Sequence, residues 1–326
     1  MMKVLVNMNW DVSAVTEMDK FIAQLEEAGY EVVLDNCGRR LNEDELIERL
    51  QGMDAFLGTA NPFTERVFDA CPQLKIVART GIGYDSIDIA SATKHGVLVA
   101  NTPGSGTESV SEYAMAMMCA VGRRVVEADH GAKSGNWSRF VGGALFHKTL
   151  GILGTGNIGR KLASISRGFE MKVIAYDAFR NEKWAAENNV TYCDSMEEVL
   201  RQADYVSVHV PLMPSTVDMI GKKELEMMKP TAYLINCARG GIVNETALYE
   251  ALRDKVIAGA GLDVFATEPV QADNPLLTLD NCVCSTHNAG SSLDGKNRLL
   301  EYTVRNLVEF IKGEKPYGSL NPEVLQ

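Results

Sequence analysis

The sequence predicts an α/β protein made of two doubly wound parallel-sheet domains, one inserted in the other. Three observations predict this fold. Apolar strand-like runs alternate with amphipathic helical runs in residues 1–101, and the alternation restarts at Lys148. A glycine-rich turn follows the first strand of the second series. The last helical stretch, from about Ser292 to Lys312, is expected to return and pack on the first series.

The elements follow in order. KVLVNM is an apolar strand, and VTEMDKFIAQLEEAGY, from Val15 to Tyr30, is an amphipathic helix ending at Gly29. EVVLDN, through Asn36, is a second strand. NEDELIERLQG is a helix with Asn42 as its N-cap. MDAFLGT, LKIVART and GVLVAN are further strands with helical segments between them. Thr107 to Val125 reads as one long helix whose methionines and alanines serve packing. The second series comprises KTLGILG, MKVIAYD, DYVSVHVP, AYLINCA, IAGAGLDVF and NCVCST. The expected domains are therefore 1–101 with 291–326, and 102–290.

Bulk composition excludes several classes. The 326 residues, 46% hydrophobic, suffice for two cores. A net charge of −11, without a Lys/Arg-rich run, argues against nucleic acid or an anionic membrane as partner. Apolar runs stop well short of the roughly 18–20 residues that a membrane helix needs. MMKVLVNMNWD reads as a first strand rather than a signal peptide. Seven cysteines without regular spacing fit a reduced, cytoplasmic protein, and CARG and CVCS offer no CxxC pair, so no metal is expected.

The glycine-rich turn is specific in its context. LGILGTGNIGRKLA carries GxGxxG as Gly154, Gly156 and Gly159, between a strand and a helix. The first glycine permits the tight turn, the second lets a pyrophosphate approach the backbone, and the third lets helix and sheet pack closely. The helix N-terminus then offers free N–H groups and a partial positive charge. Asp177 ends the next strand, roughly eighteen residues past Gly159, close to the spacing of an acid that binds ribose hydroxyls. A carboxylate there repels a 2′-phosphate. The cofactor is expected to be NAD, with Arg180 the one nearby counter-signal.

Three later strands end in chemistry. INCARGG places Arg239 past one strand, AGLDVFATEP places Asp263 and Glu268 past the next, and CSTHNAG places His287 past the last. Singly, each has an ordinary reading as a surface or loop residue. Together they stand on the sheet edge where open parallel sheets bind ligands.

ARTGIGYDSID, GILGTGNIG, HVPLMPST, INCARGGIVNETAL and GLDVFATEP resemble the D-isomer-specific 2-hydroxyacid dehydrogenase family, and the resemblance spans essentially the whole chain. Two departures stand out: Thr286 and Asn288 flank the histidine where the family has proline and an apolar residue, and Ser111 stands where alanine is common. The resemblance implies a Rossmann NAD-binding domain inserted in a flavodoxin-like substrate domain. His287 is then the acid that protonates a substrate carbonyl as NADH gives its hydride. Glu268 fixes the imidazole tautomer, and Arg239 clamps the substrate carboxylate. The same resemblance implies that Asp263 contacts the nicotinamide carboxamide, and that Asn157, Ile158, Val210, Pro211, Thr216, Cys237, Ala238 and Gly290 line the cofactor cleft together with Arg239 and His287. It further implies that Arg79 and the backbone of Gly81, Ile82 and Gly83 hold the substrate, and that the helix after Thr107 makes a homodimer. Glu268 argues against formate dehydrogenases, which carry glutamine there.

Phosphoglycerate and hydroxypyruvate enzymes are the branch most resembled. Arg79 and Arg139 match two phosphate-binding arginines of the former, while Gly58 stands where a third is usual. A glycerate-like substrate is favoured, with 3-phosphoglycerate the alternative. An NAD(H)-sensing corepressor is the reading from a different class.

Overall fold

The computed structural model describes residues 1–8, 17–35 and 37–325. The chain divides into two compact units, Met1–Gly106 with Ser291–Gln326, and Thr107–Gly290. The division falls at Gly106, a little past the expected Asn101, and Thr102 bonds back to Gly81 of the first unit while Ser105 bonds to Thr102. The Ser105 hydroxyl donates to the Thr102 carbonyl, and the Thr102 hydroxyl accepts the Gly81 N–H.

In the first unit, strands β1 (Met2–Asn7), β2 (Tyr30–Asp35), β3 (Ala55–Gly58), β4 (Ile76–Arg79) and β5 (Leu98–Ala100) form a parallel sheet ordered β2-β1-β3-β4-β5. This is the doubly wound order of flavodoxin-like folds. Strand periodicity sorts its side chains between two faces. Val4, Val6, Ile76 and Ala78 face Leu300, Val304 and Leu307 of the helix Leu293–Ile311, so the last helix does return to the first unit. Leu5, Phe56, Val77 and Val99 face Leu46, Leu50, Val67 and Phe68 on the other side. Tyr30 donates its hydroxyl to the Leu307 carbonyl at 3.0 Å, and Asn306 donates to the Asn101 carbonyl at 2.8 Å. Asn42 caps the helix Glu43–Leu50 through a reciprocal capping box with Glu45.

In the second unit, β6 (Thr149–Leu153), β7 (Lys172–Tyr176), β8 (Val190–Tyr192), β9 (Tyr205–Val208), β10 (Tyr233–Asn236), β11 (Gly259–Leu262) and β12 (Cys282–Cys284) pair in the order β12-β11-β10-β9-β6-β7-β8. The order reverses at β6, which is the Rossmann switch point. The carboxyl ends of β6, β7, β9, β10, β11 and β12 therefore share one edge. Among the described residues, no helix is long and apolar enough to cross a membrane.

Several expectations are corrected. The long helix expected from Thr107 to Val125 ends at Gly122, and a separate helix, Val125–Lys133, follows it. The break falls at Arg124, which adopts a left-handed conformation with φ 54°. Just before the break, Gly122 passes so close to the Tyr205 hydroxyl that a Cβ would overlap it. Strand β8 was not foreseen: NVTYCD offers only three strand residues and no clear alternation. The helix expected from Val15 is described from Met18 to Glu27. Its expected start at Val15 and Thr16, and the strand end at Asn36, lie outside the described residues.

Candidate active site

The glycine fingerprint has the shape its chemistry needs. Gly154 turns with φ +98°, where a side chain would press on the His209 backbone at 2.8 Å. A Cβ on Gly159 would overlap the Gly154 carbonyl oxygen, so the helix Asn157–Ser166 packs tightly against the turn. Over Gly156, by contrast, nothing lies within 4 Å of a built Cβ. This open space sits directly on the N-terminus of that helix, which no side chain caps. The residues present fit a dinucleotide: bare amides at Asn157 and Ile158 and a cleared approach to them.

Asp177 follows β7. Its Oδ2 accepts the Thr155 N–H at 2.6 Å and the Thr155 hydroxyl at 3.0 Å, and its Oδ1 accepts the Phe179 N–H at 2.8 Å. An acceptor-only carboxylate is thereby fixed beside the glycine turn. The counter-signal residue Arg180 is engaged elsewhere, donating to the Cys193 carbonyl at 2.7 Å and to Asp194 at 3.1 Å.

The loop after β9 carries Val210, Pro211 and Thr216. Thr216 is buried, and its hydroxyl accepts the Met213 N–H at 2.8 Å and donates to the Pro211 carbonyl at 2.7 Å. It therefore staples its own loop. After β10, Cys237 is buried, and burial pushes its thiol far up, keeping it protonated. Ala238 donates its N–H to the Asn236 side chain at 3.0 Å. Arg239 sits half-buried, donating through Nη1 to the Ala238 carbonyl at 2.7 Å. The following Gly240 is required by a close approach: a Cβ there would overlap the Phe265 backbone.

Asp263, just past β11, is 1% exposed. Its Oδ1 accepts the Ser285 hydroxyl at 2.5 Å and the Asn288 N–H at 2.7 Å, while Oδ2 accepts the Ala289 N–H at 2.9 Å. Its main-chain oxygen accepts the His287 N–H at 2.8 Å. The structure therefore gives Asp263 a task that the sequence did not show: it anchors the loop that presents the histidine. These bonds come from the Ser285 hydroxyl and from main-chain N–H groups, so the anchor makes no demand on the Thr286 or Asn288 side chains.

His287 stands in this loop with φ 54°, a conformation that costs an ordinary residue strain and that the Asp263 anchors hold. Its Nδ1 lies 2.6 Å from Oε2 of Glu268, whose Oε1 accepts the Phe265 N–H at 3.1 Å. Burial alone would raise the Glu268 carboxyl. The hydrogen bonds from His287 and Phe265, with the charges of His287 and Arg239, outweigh it and hold the group below the usual carboxylate range. An ionised Glu268 only accepts, so Nδ1 carries the proton and Nε2 is left to exchange one. His209, the other histidine on this edge, is pushed down to about 4 by burial, so it is neutral at pH 7 and cannot be the acid.

This sheet edge, an imidazole–carboxylate pair beside a dinucleotide cradle, has relatives. Residues 115–289 match the model of the D-isomer specific 2-hydroxyacid dehydrogenase, NAD binding domain. The chain belongs to the D-isomer specific 2-hydroxyacid dehydrogenase family. A glyoxylate reductase of Korarchaeum cryptofilum is 42% identical over 86% of this chain and 86% of its own. A D-3-phosphoglycerate dehydrogenase of Methanocaldococcus jannaschii is 36% identical over 86% of this chain and 54% of its own. The solved D-lactate dehydrogenase of Lactobacillus jensenii with NAD+ superposes with a TM-score of 0.79 at 28% identity, covering 98% of this chain and 99% of that one. As a D-2-hydroxyacid dehydrogenase, the protein is an NAD-dependent oxidoreductase acting on CH–OH groups.

Within this dehydrogenase, the first unit shows its own candidates at the end of β4. Arg79 folds back over Gly81, where φ is +138° and a Cβ would overlap the guanidinium, and its Nη1 donates to the Thr80 carbonyl. The expected trio of backbone donors is reduced, because the Gly81 N–H is already given to the Thr102 hydroxyl at 3.0 Å. Ile82 and Gly83 remain. Residues that the sequence did not single out are Thr155, Tyr192 and His209. Thr155 is a variable position of the fingerprint, and Tyr192 lies on the unforeseen strand.

Proposed function

We propose that this dehydrogenase interconverts a small, unphosphorylated 2-oxo acid of the glyoxylate or hydroxypyruvate type and its D-2-hydroxy acid. The observation that carries the reading is the 2.6 Å pair of His287 and Glu268, on the sheet edge that also bears the dinucleotide cradle. Bound NADH supplies the hydride. His287 gives its Nε2 proton to the substrate carbonyl oxygen, and in the reverse direction takes it from the hydroxyl. Glu268 orients the ring through Nδ1 and offsets the charge of the imidazolium. Arg239 grips the substrate carboxylate with its planar fork. Ile82 and Gly83 are assigned as further donors to that carboxylate. Val210, Pro211, Cys237, Ala238 and Gly290 line the cofactor cleft. The remaining lone pair of Asp263 Oδ2 is assigned to the nicotinamide carboxamide.

Lack of phosphate on the substrate is supported by Gly58. A Cβ there would overlap the Asn7 carbonyl and the Phe56 ring, so no arginine fits. The relative named glyoxylate reductase supports the same choice. We also assign a homodimer contact to the second unit. Its Val125, Val126, Trp137 and Val141 expose apolar surface, and a groove of about 670 Å³ nearby is lined by Val121, Val126, Val141 and Leu279. We also infer a cytoplasmic location, which the seven irregularly spaced cysteines support, and no nucleic-acid or membrane partner, which the net charge of −11 supports.

The test is NADH oxidation against glyoxylate, hydroxypyruvate, pyruvate and 3-phosphohydroxypyruvate. Turnover led by glyoxylate or hydroxypyruvate supports the reading, and turnover confined to the phosphorylated acid overturns it.

A further inference from the structure

Thr155 and Tyr192 join Asp177 in a directed chain of hydrogen bonds. The Asp177 carboxylate only accepts, so the single proton of the Thr155 hydroxyl goes to its Oδ2, 3.0 Å away. The Tyr192 hydroxyl lies 2.7 Å from the same Thr155 oxygen and must therefore be the donor in that contact. Tyr192 in turn accepts the Asn181 N–H at 3.3 Å. The order runs from Asn181 N–H to Tyr192, to Thr155, to Asp177, each link polarising the next. Thr155 is 1% exposed, so losing a partner there leaves a buried hydroxyl short of a bond. The Thr155 N–H and hydroxyl fill Oδ2, and Oδ1, which accepts the Phe179 N–H, keeps a lone pair for a further donor. Tyr192 does a second thing. Its ring lies under the Arg180 guanidinium at 5.8 Å, helping keep that cation toward Asp194.

We propose that Tyr192 and Thr155 are positioning residues for cofactor choice: they fix Asp177 so that it accepts a ribose 2′-hydroxyl and repels a 2′-phosphate. The proposal rests on the assignment of Asp177 as the ribose ligand. Without the Tyr192 hydroxyl, the Thr155–Asp177 bond weakens and the carboxylate gains freedom to turn. NADH then loses part of a preformed bond, while NADPH loses part of a repulsion. The replacement Tyr192→Phe keeps the ring under Arg180 and removes only the hydroxyl.

Equilibrium titration of the purified protein with NADH and with NADPH, read by nicotinamide fluorescence, gives both Kd values without turnover. Tyr192→Phe is expected to weaken NADH roughly fivefold, about 1 kcal/mol, without weakening NADPH. Thr155→Val should do the same and Thr155→Ser should retain the wild-type ratio. In an Asp177→Ala background, Tyr192→Phe should add no further change to the ratio, since the two act as one unit. If Asp177→Ala collapses the ratio and Tyr192→Phe leaves it unchanged, the positioning role falls and the ribose assignment stands. If Asp177→Ala itself leaves the ratio unchanged, both fall.

Discussion

His287 and Glu268 are nineteen residues apart in sequence, yet Nδ1 and Oε2 meet at 2.6 Å. Each lies in a loop fastened at β11: the His287 N–H bonds the Asp263 carbonyl, and Glu268 accepts from the Phe265 N–H. One strand end thus fixes both members of the pair.

Glu268→Gln tests the electrostatic half of this pair. The Glu268 carboxyl is held below the usual range, so its charge is present above that range and is lost as pH falls through its depressed value. At neutral pH the carboxylate supports an imidazolium, and glutamine does not. The pH profile of kcat/KM for oxoacid reduction should therefore lose activity at a lower pH in the variant. A wild-type profile would remove Glu268 from the pair.

Arg239→Lys keeps the charge and loses the fork. A point charge cannot make two parallel bonds to a carboxylate, and charge-assisted bonds are worth about 1.5–3 kcal/mol. KM for the oxoacid should rise by roughly tenfold or more, and kcat should fall. Near-normal steady-state constants would reduce Arg239 to a packing residue of its turn.

Asp263→Asn tests the loop anchor. The amide can accept through only one oxygen, so either Ala289 or both Ser285 and Asn288 lose their acceptor. We expect a fall of a few degrees in Tm, with roughly 2–4 °C per kcal/mol at this size. A tenfold or larger loss of kcat should accompany it, as the left-handed His287 relaxes. An unchanged Tm and kcat would show that the anchor is dispensable.

The fold was legible because its strands are buried on both faces and read as apolar runs, as in LKIVART and DYVSVHVP. The glycine turn and the three strand-end motifs were legible for the same reason, since each follows such a run. What escaped the sequence depends on long-range placement. The left-handed turn at Arg124 has no glycine or asparagine to announce it, and β8 is too short to show a period. The anchoring work of Asp263 needs three main-chain or hydroxyl donors from a loop more than twenty residues away. The Gly81 amide was expected to be available, yet Thr102 takes it.

Phosphate preference is open to direct competition between hydroxypyruvate and 3-phosphohydroxypyruvate. With no arginine possible at Gly58 and Arg79 folded over Gly81, the unphosphorylated acid should have the higher kcat/KM. A strong preference for the phosphorylated acid, abolished by Arg79→Ala, would overturn the substrate assignment and leave the dehydrogenase intact.

The most direct test of the account is kcat for hydroxypyruvate reduction in His287→Asn, measured beside the Kd for NADH. The account predicts a loss of about 10²–10⁴-fold in kcat with NADH binding nearly unchanged, because only the proton donor is removed. Turnover close to wild type in that variant would contradict it.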